Sequence, residues 1–534
     1  MIMNHFFIKS LCVLLLAFAC YQTASAEVRY EIVDFEGFEY ELIYDDDTWT
    51  GTASLISRAW NPETDEFYSI QYGEWNPDSV YYVPSMIGDF PVTSIYGGFG
   101  GFSDLKHVVI PSTVTTIGRG AFAGSSIETI YFDGNNYYYD YNVEPLTFGG
   151  NSSWYVNHPT SGEFRGCERL KTVEFQRPIN KISSCMFLDC PKLEHVYFNY
   201  SSDYNQNSMS LDTIGNSAFF NCTSLKSFEI PRSVKVIGDG AFAYCTNLET
   251  IDEANGITSI GRYAFAECHQ LQGITLNPAL QFMSEGAFLN CYSLTSISLP
   301  DAITTIQDNT FYDCRNLTNI NLNNVTTFGE RAFAGCNKLT EIDLTKAQNI
   351  GLSAFFGGHV YCVLSSDSYS YPSIGYREEG WGTTETTLGS LKNITLGENV
   401  TLLEDRTFVG HVPDTITCWA PAPPEFTITT NYNWTFSTQA YDSTVLRVPR
   451  VLVNDYREAL IWSRFEHIEG MTVLGNGDAN CDGQLSISDV TALIDKLLGN
   501  DTAAFNPINA DVDGNGELGI KDVTTLIDKL LNNN

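Results

Sequence analysis

Phenylalanine returns along this chain with a regularity that few folds can use. It stands at Phe99, Phe122, Phe164, Phe187, Phe219, Phe242, Phe265, Phe288, Phe311, Phe333 and Phe355, at separations of 23, 42, 23, 32, 23, 23, 23, 23, 22 and 22 residues. The words around it repeat as well, in the form Ala-Phe-x-x-Cys-x-x-Leu-x-x-Ile/Val with an Ile before it. One clear copy is Ile237-Gly238-Asp239-Gly240-Ala241-Phe242-Ala243-Tyr244-Cys245-Thr246-Asn247-Leu248-Glu249-Thr250-Ile251. Leu391 to Phe408 is a degenerate later one. A fixed period of about 23 residues predicts a solenoid, in which each unit buries its apolar face only by stacking on its neighbours.

Within a unit, Thr295-Ser296-Ile297-Ser298-Leu299 alternates as a strand does. One strand per turn, stacked in register, predicts a long parallel sheet. The Ile-Gly-x-x-Ala-Phe piece forms the opposite wall, and its Gly is expected in a tight turn. The repeated Phe and Leu are assigned to the core. Eight cysteines, Cys167, Cys190, Cys222, Cys245, Cys268, Cys291, Cys314 and Cys336, lie three residues after the repeat Phe. A single phase places their sulfurs in one column inside the solenoid, where a thiol serves as a small apolar group. Disulfides between turns are the alternative, since strands about 4.8 Å apart fall within the Cα spacing of a disulfide. No His accompanies the column at metal-ligand spacing.

The wording resembles the BspA-type leucine-rich repeat of bacterial and protist surface proteins. Ile110-Pro111-Ser112-Thr113-Val114-Thr115-Thr116-Ile117-Gly118-Arg119-Gly120-Ala121-Phe122 carries the likeness, as does Ile230-Pro231-Arg232-Ser233-Val234-Lys235-Val236-Ile237-Gly238. It covers about residues 92 to 410. The resemblance implies a β-rich leucine-rich-repeat solenoid on a cell surface, adhering to a host or bacterial surface glycoprotein.

The chain has 534 residues and a formal charge of −35. That charge excludes nucleic acid, whose phosphates demand a basic surface. The start reads as a secretory leader over 1–26, with Lys9, an apolar run from Leu11 to Ala19, and a small-x-small site at Ala24-Ser25-Ala26. A lipid-anchor motif at Ala17-Phe18-Ala19-Cys20 is the competing reading. Beyond it no apolar run is long enough to span a bilayer, so the protein is expected to be secreted or held at the cell surface.

Residues 27–91 lack the repeat but alternate like strands, as in Phe38-Glu39-Tyr40-Glu41-Leu42-Ile43-Tyr44, with a hairpin turn at Asp45-Asp46-Asp47. They are expected to cap the first open edge of a solenoid over 92–420. Residues 421–470, with Leu446-Arg447-Val448-Pro449 and Trp462-Ser463-Arg464-Phe465, are expected to seal the far end. Three insertions, of about 19, nine and 30 residues, follow Phe132, Phe198 and Ser365 at nearly one phase of the repeat. They contain Asn135-Asn136-Tyr137-Tyr138-Tyr139-Asp140-Tyr141, Tyr200-Ser201-Ser202-Asp203-Tyr204-Asn205 and Ser368-Tyr369-Ser370-Tyr371. Such loops suit recognition, because Tyr offers large amphipathic contact at low entropic cost. They are equally read as tolerated surface loops.

The last stretch, 471–534, contains two near-copies, Asp489-Val490-Thr491-Ala492-Leu493-Ile494-Asp495-Lys496-Leu497-Leu498 and Asp522-Val523-Thr524-Thr525-Leu526-Ile527-Asp528-Lys529-Leu530-Leu531. Each follows an oxygen-rich loop of EF-hand spacing. In the first, Asp478, Asn480, Asp482, Gln484 and Asp489 are the candidate ligands, with Gly483 at the turn and Ser486 able to act through water. In the second they are Asp511, Asp513, Asn515, Glu517 and Asp522, with Gly516 at the turn. Alternating oxygens let a short loop wrap one hard cation, so two Ca²⁺ ions are expected. Position 12 is Asp in both copies, a shorter closing ligand than Glu. A duplicated loop with only an exiting helix resembles a dockerin type I module, which implies a Ca²⁺-dependent plug for a cohesin-like partner. Loop positions 10 and 11, a hydroxyl pair in familiar members of that family, hold Ile487-Ser488 and Ile520-Lys521 here, so the identity of the socket does not carry over.

No catalytic constellation stands out. The His residues, His107, His195 and His269 among them, are scattered and read as solvent-facing or structural. The reading is a non-enzymatic recognition solenoid attached through a Ca²⁺-loaded module. A carbohydrate-binding or structural component of a dockerin–cohesin complex is the alternative.

Overall fold

The computed structural model describes residues 28–35, 38–45, 48–58, 60–61, 66–67, 80–100, 105–134, 146–150, 162–198, 211–252, 256–358, 361–365, 373–377, 389–427, 435–500 and 504–532. The expected leader and all three Tyr-rich segments lie outside them. Two compact units emerge, Met1–Ala279 with Leu364–Ser373, and Leu280–Val363 with Ile374–Asn534.

The first unit opens with an antiparallel meander, β1 (Val28–Phe35), β2 (Phe38–Asp45) and β3 (Thr50–Arg58). The hairpin expected at Asp45 is present. Asp45 Oδ1 accepts the Thr48 N–H at 2.8 Å, and Trp49 sits at φ 53°. β3 then runs parallel to Phe90–Ile95, with Leu55 opposite Ile95, so the meander covers an edge that would otherwise stay open. Beyond it the coils form two parallel sheets. In one, Phe90–Ile95 pairs with Thr116–Gly118, which pairs with Thr147–Gly150. In the other, Val80–Tyr82, His107–Ile110, Thr129–Phe132, Thr172–Phe175 and His195–Phe198 lie side by side in register.

The phenylalanines do what their spacing demands. In the first unit, Phe99, Phe122, Phe164, Phe187, Phe219, Phe242 and Phe265 stack with ring centroids 4.6, 5.0, 5.2, 5.2, 5.0 and 5.4 Å apart. The second unit repeats the column from Phe288 through Phe311, Phe333, Phe355 and Phe408 to Phe436, at 5.6, 5.2, 5.3, 5.7 and 5.7 Å. Each ring is buried, a contribution of about 2–3 kcal/mol from transfer, with ring contacts adding about 1 kcal/mol. Phe355 stacks directly on Phe408, although 53 residues separate them in the chain.

Backbone groups beside each Phe bond to the next coil. Ser217, Phe219 and Asn221 donate to the carbonyls of Asp239, Ala241 and Ala243 at 2.8, 2.7 and 2.9 Å. Ser217 and Asn221 are left-handed, φ 54° and 62°. The pattern returns at Gly240 and Tyr244, and at Asn309 and Asp313. In these coils two such residues, two before and two after the Phe, bend the chain around its buried ring; around Phe164 and Phe355 only Gly166 and Ser353 of the pair are left-handed. At Gly238 the expected tight turn is present, its carbonyl accepting the Ala241 N–H at 3.3 Å, but the left-handed bend is made by the residues beside the Phe. Gly238 has no positive φ, and its role is close approach. A Cβ there would lie 2.4 Å from Asn216 Oδ1 and 2.7 Å from the Asn216 nitrogen.

The recognisable wording stops near Trp419, but the coils go on. Glu341–Leu344, Asn393–Leu396, Thr415–Cys418, Val445–Pro449 and His467–Met471 pair in parallel sequence. Two short helices, α1 (Thr438–Ser443) and α2 (Val453–Glu458), accompany the last coils. Trp462 closes the Phe column, 5.7 Å from Phe436, and its indole N–H donates to the Pro424 carbonyl at 2.9 Å. A small helical region follows, formed by α3 (Ile487–Leu497), α4 (Pro507–Ala510) and α5 (Ile520–Asn532). No helix of the described residues is long and apolar enough to cross a membrane.

Candidate metal centre

The C-terminal helices are held by a small core of Ala479, Val490, Leu493, Ala510, Val512 and Leu526. These residues interleave the two copies, so each loop is braced by the other half's helix. α3 starts where Ser486 caps it, its side chain accepting the Ser488 N–H at 3.1 Å. Asp489 completes a reciprocal cap, its Oδ2 accepting the Ser486 N–H at 2.8 Å and its Oδ1 the Asn480 N–H at 3.2 Å. Asp522 takes the matching place in the second loop, accepting the Gly519 N–H at 3.0 Å and the Asp513 N–H at 3.2 Å, with no side chain at Gly519 to return the bond. Both closing carboxylates are fully buried. Each ties three positions of its loop together and starts its helix.

Asp478 Oδ2 accepts the Gly483 N–H at 3.1 Å, and Asp511 Oδ2 the Gly516 N–H at 2.9 Å. Gly483 and Gly516 stand at φ 80° and 86°, so at these two positions the reversal does require glycine. Asn480 and Asn515 turn their amides toward Asp482 and Asp513, at 2.9 and 2.8 Å. Gln484 and Glu517 enter through the main chain, their N–H groups donating to Asp482 Oδ1 and Asn515 Oδ1 at 2.8 and 2.7 Å.

The second loop gathers its carboxylates most tightly. Oxygens of Asp511, Asp513 and Asp522 lie within 4.8 Å of one another. Asp511 Oδ1 is buried without a hydrogen-bond partner among the described residues. Burial, with Asp522 and Asp513 beside it, holds the Asp511 carboxyl above the usual range. A buried lone pair facing two more carboxylates is the arrangement a hard divalent cation relieves, so the donor set fits Ca²⁺. The Lys521 ammonium reaches Asp513 Oδ2 at 2.7 Å, whereas Ser488 holds the equivalent place in the first loop. The two loops are therefore chemically unequal.

Outside the cores the helices keep apolar side chains in solvent. Ile487 is 69% exposed, Ile494 39% and Leu498 72%; Ile520 is 79% exposed, Ile527 36% and Leu531 69%. In each copy the spacing is i, i+7, i+11, which puts the three on one helical face. Of the apolar stripe legible in the sequence after the first loop, Val490 and Leu493 enter the core, whereas Ile494, Leu497 and Leu498 stay exposed.

In the coils the expected sulfur column is present as buried free thiols. Cys167, Cys190, Cys222, Cys245 and Cys268 donate to the carbonyls of Phe122, Phe164, Phe187, Phe219 and Phe242 at 3.0–3.2 Å. Cys314 and Cys336 donate to Phe288 and Phe311 at 3.2 and 3.1 Å. Each sulfur thus satisfies the previous Phe. Burial pushes the Cys245 thiol up to about 12. Sequence reasoning missed three buried polar groups: His411, Glu163 and Arg177. Arg177 bonds the Ser112 carbonyl at 2.8 Å and that of Val114 as well. Of the His expected to be solvent-facing or structural, His195 is exposed, and His269 is half-buried and pairs with Glu267 at 2.8 Å.

Comparison with known proteins follows the coils. The BspA type Leucine rich repeat region matches in six copies, over residues 92–143, 155–253, 204–297 and 236–361. Over those residues, just under half of the chain, the repeats are similar to that type. Solved structures similar to it include a leucine-rich repeat protein from Bacteroides ovatus, at 20% identity and TM-score 0.40, covering 80% of this chain and 100% of that one. The pneumococcal vaccine antigen PcpA is 18% identical with TM-score 0.42, over 83% and 99% of the two chains. A leucine rich cell surface protein from Faecalibacterium prausnitzii is 18% identical with TM-score 0.36, over 88% and 97%. No curated protein matches the chain.

Proposed function

We propose that this is a secreted or cell-surface, non-enzymatic recognition protein of adhesin-like type. Its solenoid meets a host or bacterial surface glycoprotein, and its C-terminal module attaches it to a cohesin-like partner. In this reading, Asp478, Asn480, Asp482, Gln484 and Asp489 hold one Ca²⁺, and Asp511, Asp513, Asn515, Glu517 and Asp522 hold another. The ions neutralise carboxylates that repel one another, and so stiffen the two loops from which α3 and α5 start. The stripes Ile487–Ile494–Leu498 and Ile520–Ile527–Leu531 supply the docking face.

The observation that carries the proposal is the buried, unpartnered Asp511 oxygen beside Asp513 and Asp522. The two exposed stripes favour a protein partner, since apolar faces of this kind mark interaction sites. The test is calorimetric titration of the mature chain with Ca²⁺, followed by capture of partners with Ca²⁺ and then with chelator. Two binding events and chelator-sensitive capture, both removed by Asp478→Ala with Asp511→Ala, are expected. Capture indifferent to chelator and to both substitutions would remove the plug from the account.

A further inference from the structure

On the outer face of the five-stranded parallel sheet of the first unit, register places Tyr82, Val109, Tyr131, Glu174 and Tyr197 in one row. Their chain neighbours Tyr81, Val108, Ile130 and Val173 are buried, so the row faces outward. Tyr82 is 65% exposed and Tyr197 42%. The three tyrosines stand on alternate strands, which sets them about 10 Å apart along a row about 20 Å long. Beside it runs a second row of His107, Thr129, Thr172 and His195. The His195 ring stacks on Tyr197, centroids 5.4 Å apart and planes 18° from parallel, which holds that ring in place. His107 and Thr129 hydrogen-bond through Nδ1 and Oγ1. Burial, with Asp133 and Glu174 nearby, raises the Tyr131 phenol and keeps it a hydrogen-bond donor.

The chemistry of the face selects its occupant. The main chain of the three inner strands is spent in the ladders, so a ligand laid across this face meets side chains and not free backbone groups. Glu174 lies within the row, and Glu229 and Asp252 occupy outward positions on strands further along the unit, in a chain of charge −35. An anionic ligand is repelled. A flat row of aromatic rings at this spacing, flanked by hydroxyl and imidazole groups, suits a ligand with apolar faces repeating on the same scale and hydroxyls along its edge.

We infer that this row binds an extended, uncharged, β-linked polysaccharide laid across the strands. In such a chain alternate sugars turn the same C–H face to one side, and each seats on one tyrosine. Hydroxyls between them bond to Glu174 and to the His and Thr row. The inference rests on the reading of the solenoid as a binding scaffold and goes beyond it, giving this face a polysaccharide ligand distinct from the surface glycoprotein proposed above. It is independent of the calcium module.

The test is affinity electrophoresis of the full mature chain in gels containing glucomannan or mixed-linkage β-glucan. Pullulan serves as a neutral α-linked control and polygalacturonate as an anionic one. Retardation by the two β-linked polymers alone is expected. Tyr82→Ala, Tyr131→Ala or Tyr197→Ala should each weaken it about fivefold, the scale of one lost ring contact. The triple substitution should abolish it, whereas Tyr→Phe at the same sites should keep most of it. Free migration in all four gels, unchanged retardation of the triple variant, or retention led by polygalacturonate overturns the inference. Repeating the gels in chelator separates the two proposals. Retardation that survives while partner capture is lost upholds the row, and capture without retardation upholds only the module.

Discussion

The His411 imidazole donates from Nε2 to the Phe355 carbonyl at 2.8 Å, three residues after Phe408, in the place other coils give to cysteine. Its Nδ1 accepts the Leu391 N–H at 3.3 Å, which fixes the neutral tautomer. The ring is wedged between glycines, for a Cβ on Gly357 or Gly389 would stand 2.7 or 2.0 Å from its nitrogens. Burial lowers the group to about 4, against the pull of the Phe355 carbonyl.

That depression has a sign. Between about 6.5 and about 4 the unfolded chain takes up a proton that the folded one refuses, so stability falls with pH across this window. The full loss is roughly 3 kcal/mol. His411→Cys restores the usual donor and should flatten the dependence. Hydrogen exchange of the Leu391 amide, followed from pH 7 to pH 5, reads it directly. An unchanged slope in the variant would show that another group titrates.

Glu163 runs the other way. Burial raises its carboxyl to about 7, against the pull of the Ser183 hydroxyl, Lys181 and Arg119. The folded chain holds the extra proton between about 4.5 and 7, so stability is lost as pH rises through that range. Glu163→Gln should leave stability nearly unchanged at pH 4 and raise it by about 1–3 kcal/mol at pH 8. Exchange at the Phe122 amide, which donates to the Glu163 carbonyl at 2.9 Å, is the local probe. Equal effects at both pH values would contradict the assignment.

The thiol column makes a chemical prediction. Burial keeps Cys222, Cys245 and Cys268 protonated, and only Cys481 among the described cysteines is exposed. Brief alkylation of the folded chain, read by peptide mass spectrometry, should label Cys481 and spare the column. Cys245→Ala removes the donor to Phe219 and should cost about 1–2 kcal/mol. Rapid labelling of Cys245 in the folded chain would refute its placement.

Two glycines should respond in opposite ways. Gly238→Ala drives a methyl into the Asn216 main chain and should destabilise strongly, by several kcal/mol. Gly166, at φ 69° with nothing within 4 Å of a Cβ, occupies the place held by Asn221 and Tyr244 in other coils. Gly166→Asn should cost no more than about 1 kcal/mol. Paired denaturation midpoints decide, and similar losses at both sites would argue against the distinction.

In the C-terminal module, Lys521 should compete with a cation for Asp513. Lys521→Met is expected to tighten the weaker of two Ca²⁺ binding steps several-fold and leave the other unchanged. A calorimetric isotherm identical to that of the unmodified chain would mean that the ion pair is irrelevant to loading.

The period of the phenylalanines was enough, from sequence, to specify stacked coils, a parallel sheet and a sulfur column. In a solenoid every turn faces the same neighbour, so one local pattern repeated states the tertiary contact. The oxygen-rich loops were legible for a related reason, since a cation-wrapping loop keeps its donors within twelve residues of chain. What depended on coils meeting across sequence was not legible. The left-handed residues beside the Phe are Ser, Tyr, Asn, Asp, Glu, Arg or Cys more often than Gly, because hydrogen bonds to the next coil hold them there. Coils that lack the wording, around Phe436 and Trp462, are recognised only by what they stack against. The tyrosine row exists because five strands align Tyr82, Tyr131 and Tyr197, which lie 49 and 66 residues apart in the chain. Repetition writes a contact into local sequence, whereas register between distant strands is settled only when the chain packs.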